Sequence, residues 1–372
     1  MGATLLPGAD PTAIPGPVWL FQVLLVFTFF LHMLFLNLTL GGTLLAALSQ
    51  LAAGGRADDC RTTLARRLMG VNAYGISLTI TTGIAPLLFV QLLYQRFFYS
   101  ATILIGSAWF MLVALLLVGY YAAYAYKFRG APARGAGGTG WLTLSALMFL
   151  LVAMVHVAVN LVHSQPEQWA GFADSPWSVL ADPAYFPRLL HFLLAGIGLS
   201  ALLASWWAAR QAAAGKDVET NTDIAKLAWK WVLWTTLAQL VDGFLLLLVL
   251  PRPVLLGLMQ GGVTTLVPLT LSILLGLGLL MMLARVSDPV RKIGTVTGTL
   301  AAMVLTIAVM AVTRHQVREI YLEPSRLPVG PAVAAQWGNF LLFALLLVVG
   351  LATVAFMVRR VLDDRASGED AA

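Results

Sequence analysis

Apolar residues run along this chain in long blocks, and short polar stretches separate them. Nine blocks occupy roughly residues 18–51, 68–95, 100–127, 141–163, 187–210, 228–250, 262–284, 293–313 and 336–358. A run of about 20 apolar residues crosses the hydrocarbon core as a helix, so each block predicts one membrane-spanning helix. The first block exceeds that length, which predicts tilt or projection beyond the bilayer. GGRADD, KFRGAPARGAGG, GKDVETNTD, VSDPVRK and EPSRLPVGP interrupt the pattern with charge, Gly and Pro. The fold class expected is an all-α polytopic bundle of about nine transmembrane helices. Residues 18–358 would form one bundle, with 1–17 as an outer segment and 359–372 as a cytoplasmic tail. No internal repeat stands out, so the inverted-repeat signature of many transporters is missing.

Composition agrees with this pattern. Of 372 residues, 59% are hydrophobic and only 11% charged, whereas soluble domains carry about 25% charge. The net charge of +6 is not read as nucleic-acid binding, because the basic residues are sorted by side. The odd-numbered blocks end near 17 of the 23 Lys and Arg residues. The other side holds Arg96, Arg188, Arg252, Arg314, Arg318 and Arg326. By the positive-inside rule the N-terminus lies outside and the C-terminus in the cytoplasm. A single cysteine, Cys60, excludes an internal disulfide, and without Cys-x-x-Cys-His there is no covalent c-type haem. The opening MGATLLPGADPTAIPGP lacks the basic start of a signal peptide, so the first block is expected to remain as a helix. The outer stretches Gln165–Pro187 and Arg314–Pro331 are the richer loops, which makes the outer face the expected docking side.

The candidate chemistry lies in the blocks themselves. All five histidines, His32, His156, His163, His191 and His315, fall within helices or at their ends, and none lies in a cytoplasmic loop. Ionisable groups at membrane depth are functional candidates, and neutral imidazole is an axial ligand for haem iron in bundle cores. His163, His191 and His315 map to outer helix ends, and His32 lies deeper. His156 sits about 10 Å below His163 on the same helix face. The competing reading is an interhelical hydrogen bond worth about 1 kcal/mol each. Met259, Met303 and Met310 are thioether candidates, though methionine is ordinarily core filler. Asp242, in LAQLVDGF three residues after Gln239, is the one carboxylate placed mid-membrane. It reads as a proton-path or quinol contact, or as a helix–helix hydrogen bond. Asn160 and Gln165 are positioned to orient His163. Arg188, Arg314 and Arg318 at the outer rim suit haem propionates, or simply anchor helices at the interface.

Several motifs carry a family resemblance. HMLFLNLTLGGTLLAA (32–47) resembles the first helix of cytochrome bd quinol oxidase subunit I, where a haem-ligating histidine precedes Leu-Thr-Leu-Gly. MGVNAYGISLTITTG (69–83), VAVNLVHSQPEQW (157–169) and VLADPAYFPRLLHFLLAG (179–196) are similar to its second, fourth and fifth helices. The resemblance covers about residues 18–210. It implies nine helices, an outer N-terminus and a prokaryotic inner membrane. It also implies haem ligation by His32 and His191. Met259 falls near the family's methionine ligand, and His315 where its glutamate ligand lies. The departures bear on function. Residues 101–126 hold no acid, Gly-Arg-Gln-Pro-Trp is absent, and the quinol loop shrinks to LPRPVLLGLMQGG. His156, His163 and His315 are extra.

The function expected is therefore a b-type cytochrome subunit of a respiratory complex. It would hold two or more haem b groups and move electrons between the quinol/quinone pool and a periplasmic c-type cytochrome. The alternatives are a divergent quinol:oxygen oxidoreductase subunit, or a haem-free anchor or proton-coupled transporter. Membrane lipid and quinone are the expected surroundings; nucleic acid is not.

Overall fold

The computed structural model describes residues 13–130, 138–325 and 332–369. The expected outer N-terminal segment falls largely on residues 1–12, outside the described residues, as do 370–372 of the expected tail. Within the described residues nine helical stretches are long and apolar enough to cross a membrane. The chain is a multi-pass helical membrane protein.

The first crossing is composite. Helix α1 (Val18–Leu36) widens into a π turn at Asn37–Gly41 and continues as α2 (Gly42–Ala52). A π turn leaves carbonyls without their usual helical donors, and neighbouring side chains serve them here. Ser200 Oγ donates to the Asn37 carbonyl at 3.0 Å, and Asn72 Nδ2 donates to the Thr39 carbonyl at 3.2 Å. Thr39 and Thr79 hydroxyls meet at 2.8 Å. Gly41 lies so close to Gly196 that a Cβ on it would fall 1.9 Å from the Gly196 carbonyl carbon. Small residues let membrane helices approach backbone to backbone in this way.

The next crossing, α3 (Cys60–Leu93), starts eight residues before its apolar block. Asp59 caps it, its Oδ1 accepting the Arg61 amide at 2.8 Å. Hydropathy marks only the part of a helix in lipid, so these first polar turns are invisible to it. The third block is two helices, α4 (Gln95–Leu104) and α5 (Gly106–Ala125), broken at Ile105. Helix α6 (Thr139–Ser164) leads into an outer loop with a short helix, α7 (Trp169–Asp174). Trp169 is fully buried there, its Nε1 donating to the Val162 carbonyl at 2.8 Å. Helices α8 (Tyr185–Ala213) and α9 (Val218–Val249) pack along each other more extensively than any other pair of elements. Helix α9 also begins well before its apolar block, on polar cytoplasmic turns.

A short outer helix, α10 (Arg252–Gln260), connects to α11 (Val263–Ala284), and α12 (Ile293–Leu322) follows. Helix α12 runs nine residues beyond its expected end at 313. Its added turns carry Arg314, His315, Arg318 and Glu319, and packing against the outer core buries Arg318, Tyr321 and Leu322. The last crossing is α13 (Trp337–Glu369). Its apolar stretch is not buried by the rest of the chain. The chain just before α1 pairs with the chain just before α13: Ile14 N donates to the Ala332 carbonyl at 2.8 Å and Ala334 N to the Ile14 carbonyl at 2.9 Å. Both helices therefore enter from one side, as an odd number of crossings requires.

Two cores fill the bundle. An inner one packs α2, α3, α6, α8, α9 and α11 around Leu45, Leu64, Leu142, Leu202 and Leu283. An outer one packs α1, α3, α4, α6 and the α7 loop around Phe21, Phe97, Leu161 and Trp169.

Candidate functional site

A cavity of ≈ 270 Å³, partly open at its edge, lies between α1, α6, α8, α9, α11 and α12. It reaches from the outer helix ends, at Arg188 and Arg318, to the middle of the membrane, at Thr236 and Leu279. Its walls are mostly apolar, with few polar groups, which is the usual make-up of a cofactor or ligand pocket.

His191 stands on this wall, on α8, six residues after the helix begins. Its Nδ1 lies 3.1 Å from Asp242 Oδ2 on α9. A carboxylate accepts, so Nδ1 carries the proton and Nε2 keeps its lone pair. Gln239, one turn earlier on the same face of α9, brings its Nε2 to 3.4 Å from His191 Nε2. Asp242 is only 4% exposed, and its Oδ1 has no hydrogen-bond partner among the described residues. An ionised carboxylate at the bilayer centre costs on the order of 3 kcal/mol. Asp242 and Gln239, expected as proton or quinol contacts, thus meet His191 directly. The sequence holds a signal for this, the Gln-x-x-Asp spacing on one helix face, but nothing in it links 242 to 191.

Three arginines gather at the outer end of the cavity. Arg188, Arg314 and Arg318 all line it and lie within electrostatic range of one another. Arg188 Nη1 donates to Asn160 Oδ1 at 2.8 Å. The Arg314 guanidinium lies 4.4 Å from the centre of the Phe29 ring, and that of Arg318 5.1 Å from the Tyr94 ring. Arg318 Nε has no hydrogen-bond partner among the described residues. Two acids lie beside the cluster: Glu319 meets the Tyr94 hydroxyl and Gln22 Nε2 at 3.3 Å and is in electrostatic range of Arg318, and Asp182 meets Gln165 Nε2 at 2.8 Å and is in range of Arg188. Three clustered guanidiniums beside such acids suit an anionic group, and carboxylates fit their planar forks. Asn160 and Gln165, expected to orient His163, are hydrogen bonded to Arg188 and Asp182 instead. The Tyr94–Glu319 pair had no sequence signal.

The other histidines do not line this cavity. His32, on α1, places Nδ1 3.1 Å from the Thr79 carbonyl of α3, which assigns the proton to Nδ1 and leaves Nε2 as an acceptor. Gly83 makes room for the ring; a Cβ there would lie 2.9 Å from His32 Cε1. His156, on α6, lies within electrostatic range of His32. Its Nδ1 is 2.9 Å from the Val152 carbonyl, and its ring meets Trp109 edge-on. His163 is buried between the rings of Tyr94 and Phe97, and its Nε2 has no partner among the described residues. His315 follows Arg314 on α12, two turns before that helix ends. Met303 and Met310 line the cavity, whereas Met259 is 54% exposed on α10 and lies outside it. The structure therefore separates the candidates into His191 with Asp242, Gln239 and the arginines, and a second group around His32 and His156.

The residues present fit a haem in the main cavity. The donor set is an imidazole with its second nitrogen anchored, two thioethers on α12, and guanidiniums where propionates would lie.

No protein-family model matches the sequence, and no curated protein matches it. Among solved structures, the chain is similar to the bd oxidase from Geobacillus thermodenitrificans, with a TM-score of 0.77 and 17% identity. The match covers 94% of this chain and 99% of that one. The two share a fold across essentially their whole lengths.

Proposed function

We propose that this chain is a haem b-binding membrane subunit of a quinol-linked respiratory complex. The observation that carries this reading is His191 on the cavity wall, anchored through Nδ1 by Asp242, with three clustered arginines, of which Arg318 is buried, lining the outer end of the same cavity. The shared fold with a bd oxidase supports a respiratory role. Bound haem supplies reversible one-electron chemistry between the ferric and ferrous states.

The chain's residues supply the rest. His191 would hold the haem iron through Nε2, the nitrogen that Gln239 Nε2 faces at 3.4 Å. Met310 or Met303 offers a thioether from α12. Arg188, Arg314 and Arg318 would hold the haem propionates by charge-assisted hydrogen bonds. The apolar walls exclude water. His32, oriented by Thr79, with His156 in range, is the proposed ligand pair of a second haem b. His163 and His315 are left as weaker candidates. Electrons would pass from quinol in the membrane to a periplasmic c-type cytochrome docked on the outer loops of a prokaryotic inner membrane.

The test is a pyridine haemochrome assay on the purified protein, with optical spectra of wild type and His191→Ala. Haem b in the wild type, reduced in the variant, supports the reading. A colourless preparation overturns it in favour of a haem-free anchor or transporter. A second reading, a quinol:oxygen oxidoreductase subunit, draws on the shared fold. Quinol-dependent oxygen consumption with a CO-binding haem would establish it instead.

A further inference from the structure

We infer that Asp242 is the positioning residue of the His191 haem ligand and sets the redox potential of that haem. This rests on the haem reading above. A histidine that binds a metal through one nitrogen commonly donates its other N–H to a carboxylate, which fixes the tautomer and raises the ligand's basicity. Here the imidazole and the carboxylate of that arrangement are in place. His191 and Asp242 face each other across the α8–α9 interface at 3.1 Å. The carboxylate is buried, Oδ2 meets His191 Nδ1, and Oδ1 has no hydrogen-bond partner among the described residues. Gly243, next on α9, lies beside the ring: a Cβ there would stand 3.5 Å from His191 Cε1.

Two simpler roles account for less. As helix-to-helix glue, an amide would accept the same proton without bringing a charge into the membrane. As a contact for quinol in the cavity, the carboxylate would face open space, whereas Oδ2 is spent on His191 Nδ1. A charged acceptor is explained when a compensating positive charge arrives. Ferric haem brings one, because the iron's three charges exceed the two of the porphyrin; ferrous haem is neutral. Asp242 therefore stabilises the oxidised form over the reduced one, both through space and through a more imidazolate-like His191. The haem is held at a low potential, suited to passing its electron onward.

The experiment is an optical redox titration, with electron paramagnetic resonance of the oxidised state, on the purified full chain. We expect D242N to keep its haem and to shift the oxidised-to-reduced ratio about tenfold toward reduced, a rise of about 59 mV for a one-electron couple. The low-spin g-values should move as the ligand loses basicity, and D242E should return both readouts toward wild type. A D242N protein with haem, unchanged potential and unchanged g-values overturns the inference while leaving the haem reading intact. Wild type without haem, or H191A with full haem and an unaltered spectrum, fails the underlying reading instead. A second variant keeps Asp242 in place. In H191G supplied with imidazole or 1-methylimidazole, only imidazole offers an N–H to Asp242. The potential with imidazole should be the lower by a similar tenfold shift, and equal potentials overturn the proposal.

Discussion

At the scale of single residues, this membrane interior carries charge only where a partner stands ready. Asp242 has His191, Glu319 has Tyr94 and Gln22, and Arg188 has Asn160. The spare buried atoms include Asp242 Oδ1 and Arg318 Nε, and both belong to residues of the main cavity wall or its immediate backing. Removing His191 should therefore abolish one haem while the bundle persists, read as halved haem content with an unchanged helical circular dichroism spectrum. Removing one of the three arginines should be milder. Arg314→Leu is expected to weaken haem retention roughly tenfold, the size of one lost hydrogen bond to a charged group. Titrating apoprotein with haemin checks it; equal affinity would return Arg314 to interfacial anchoring against Phe29.

At the scale of elements, the site depends on two helix contacts that leave no slack. The first is the π turn at 37–41, whose widened backbone is braced by Ser200 and Asn72 from two other helices. Its Gly41 touches Gly196 backbone to backbone, five residues along α8 from His191. A Gly41→Ala substitution drives a methyl into the facing carbonyl and forces α1 and α8 apart. We expect a loss of about 3 kcal/mol, seen as a large drop in thermal midpoint in detergent together with reduced haem content. Ser200→Ala removes one hydrogen bond without a clash and should cost about 1 kcal/mol, with haem retained. The second contact is α8 against α9, which brings residues 51 apart in sequence to hydrogen-bonding distance. The π turn also accounts for Asn37 and the Leu-Thr-Leu-Gly run, which hydropathy treats as ordinary apolar helix.

At the scale of the whole molecule, block length predicts the nine crossings found among the described residues, and the charge bias predicts an N-terminus outside. The pairing of Ile14 with the chain ahead of α13 agrees with the odd count. In a Cys60→Ser background, a cysteine at Ser175 in the α7 loop should react with a membrane-impermeant thiol reagent in spheroplasts. One at Ala57, between α2 and α3, should react only after permeabilisation. The opposite pattern would invert the topology and move the arginine cluster to the cytoplasmic side. The spread-out α13, unburied by the rest of the chain, leaves a broad apolar face to lipid or to another subunit.

The number of crossings was legible in the sequence, as were the charge bias and the histidines on which orientation and ligation are proposed, because each depends on local quantities. Hydrophobic length is read over about 20 residues, charge sorting over single loops, and histidine type at one position. Helix ends were less legible, since polar turns outside the lipid, as at 60–67 and 218–227, carry no hydropathy signal. What only the tertiary structure decided is which polar groups meet. His191 finds Asp242 rather than a second histidine, Asn160 goes to Arg188 rather than to His163, and Met310 reaches the cavity while Met259 does not. These pairings are set by the rotation and depth of whole helices packed against one another. That packing is fixed by small residues and close contacts spread over the chain, and no stretch of sequence contains it.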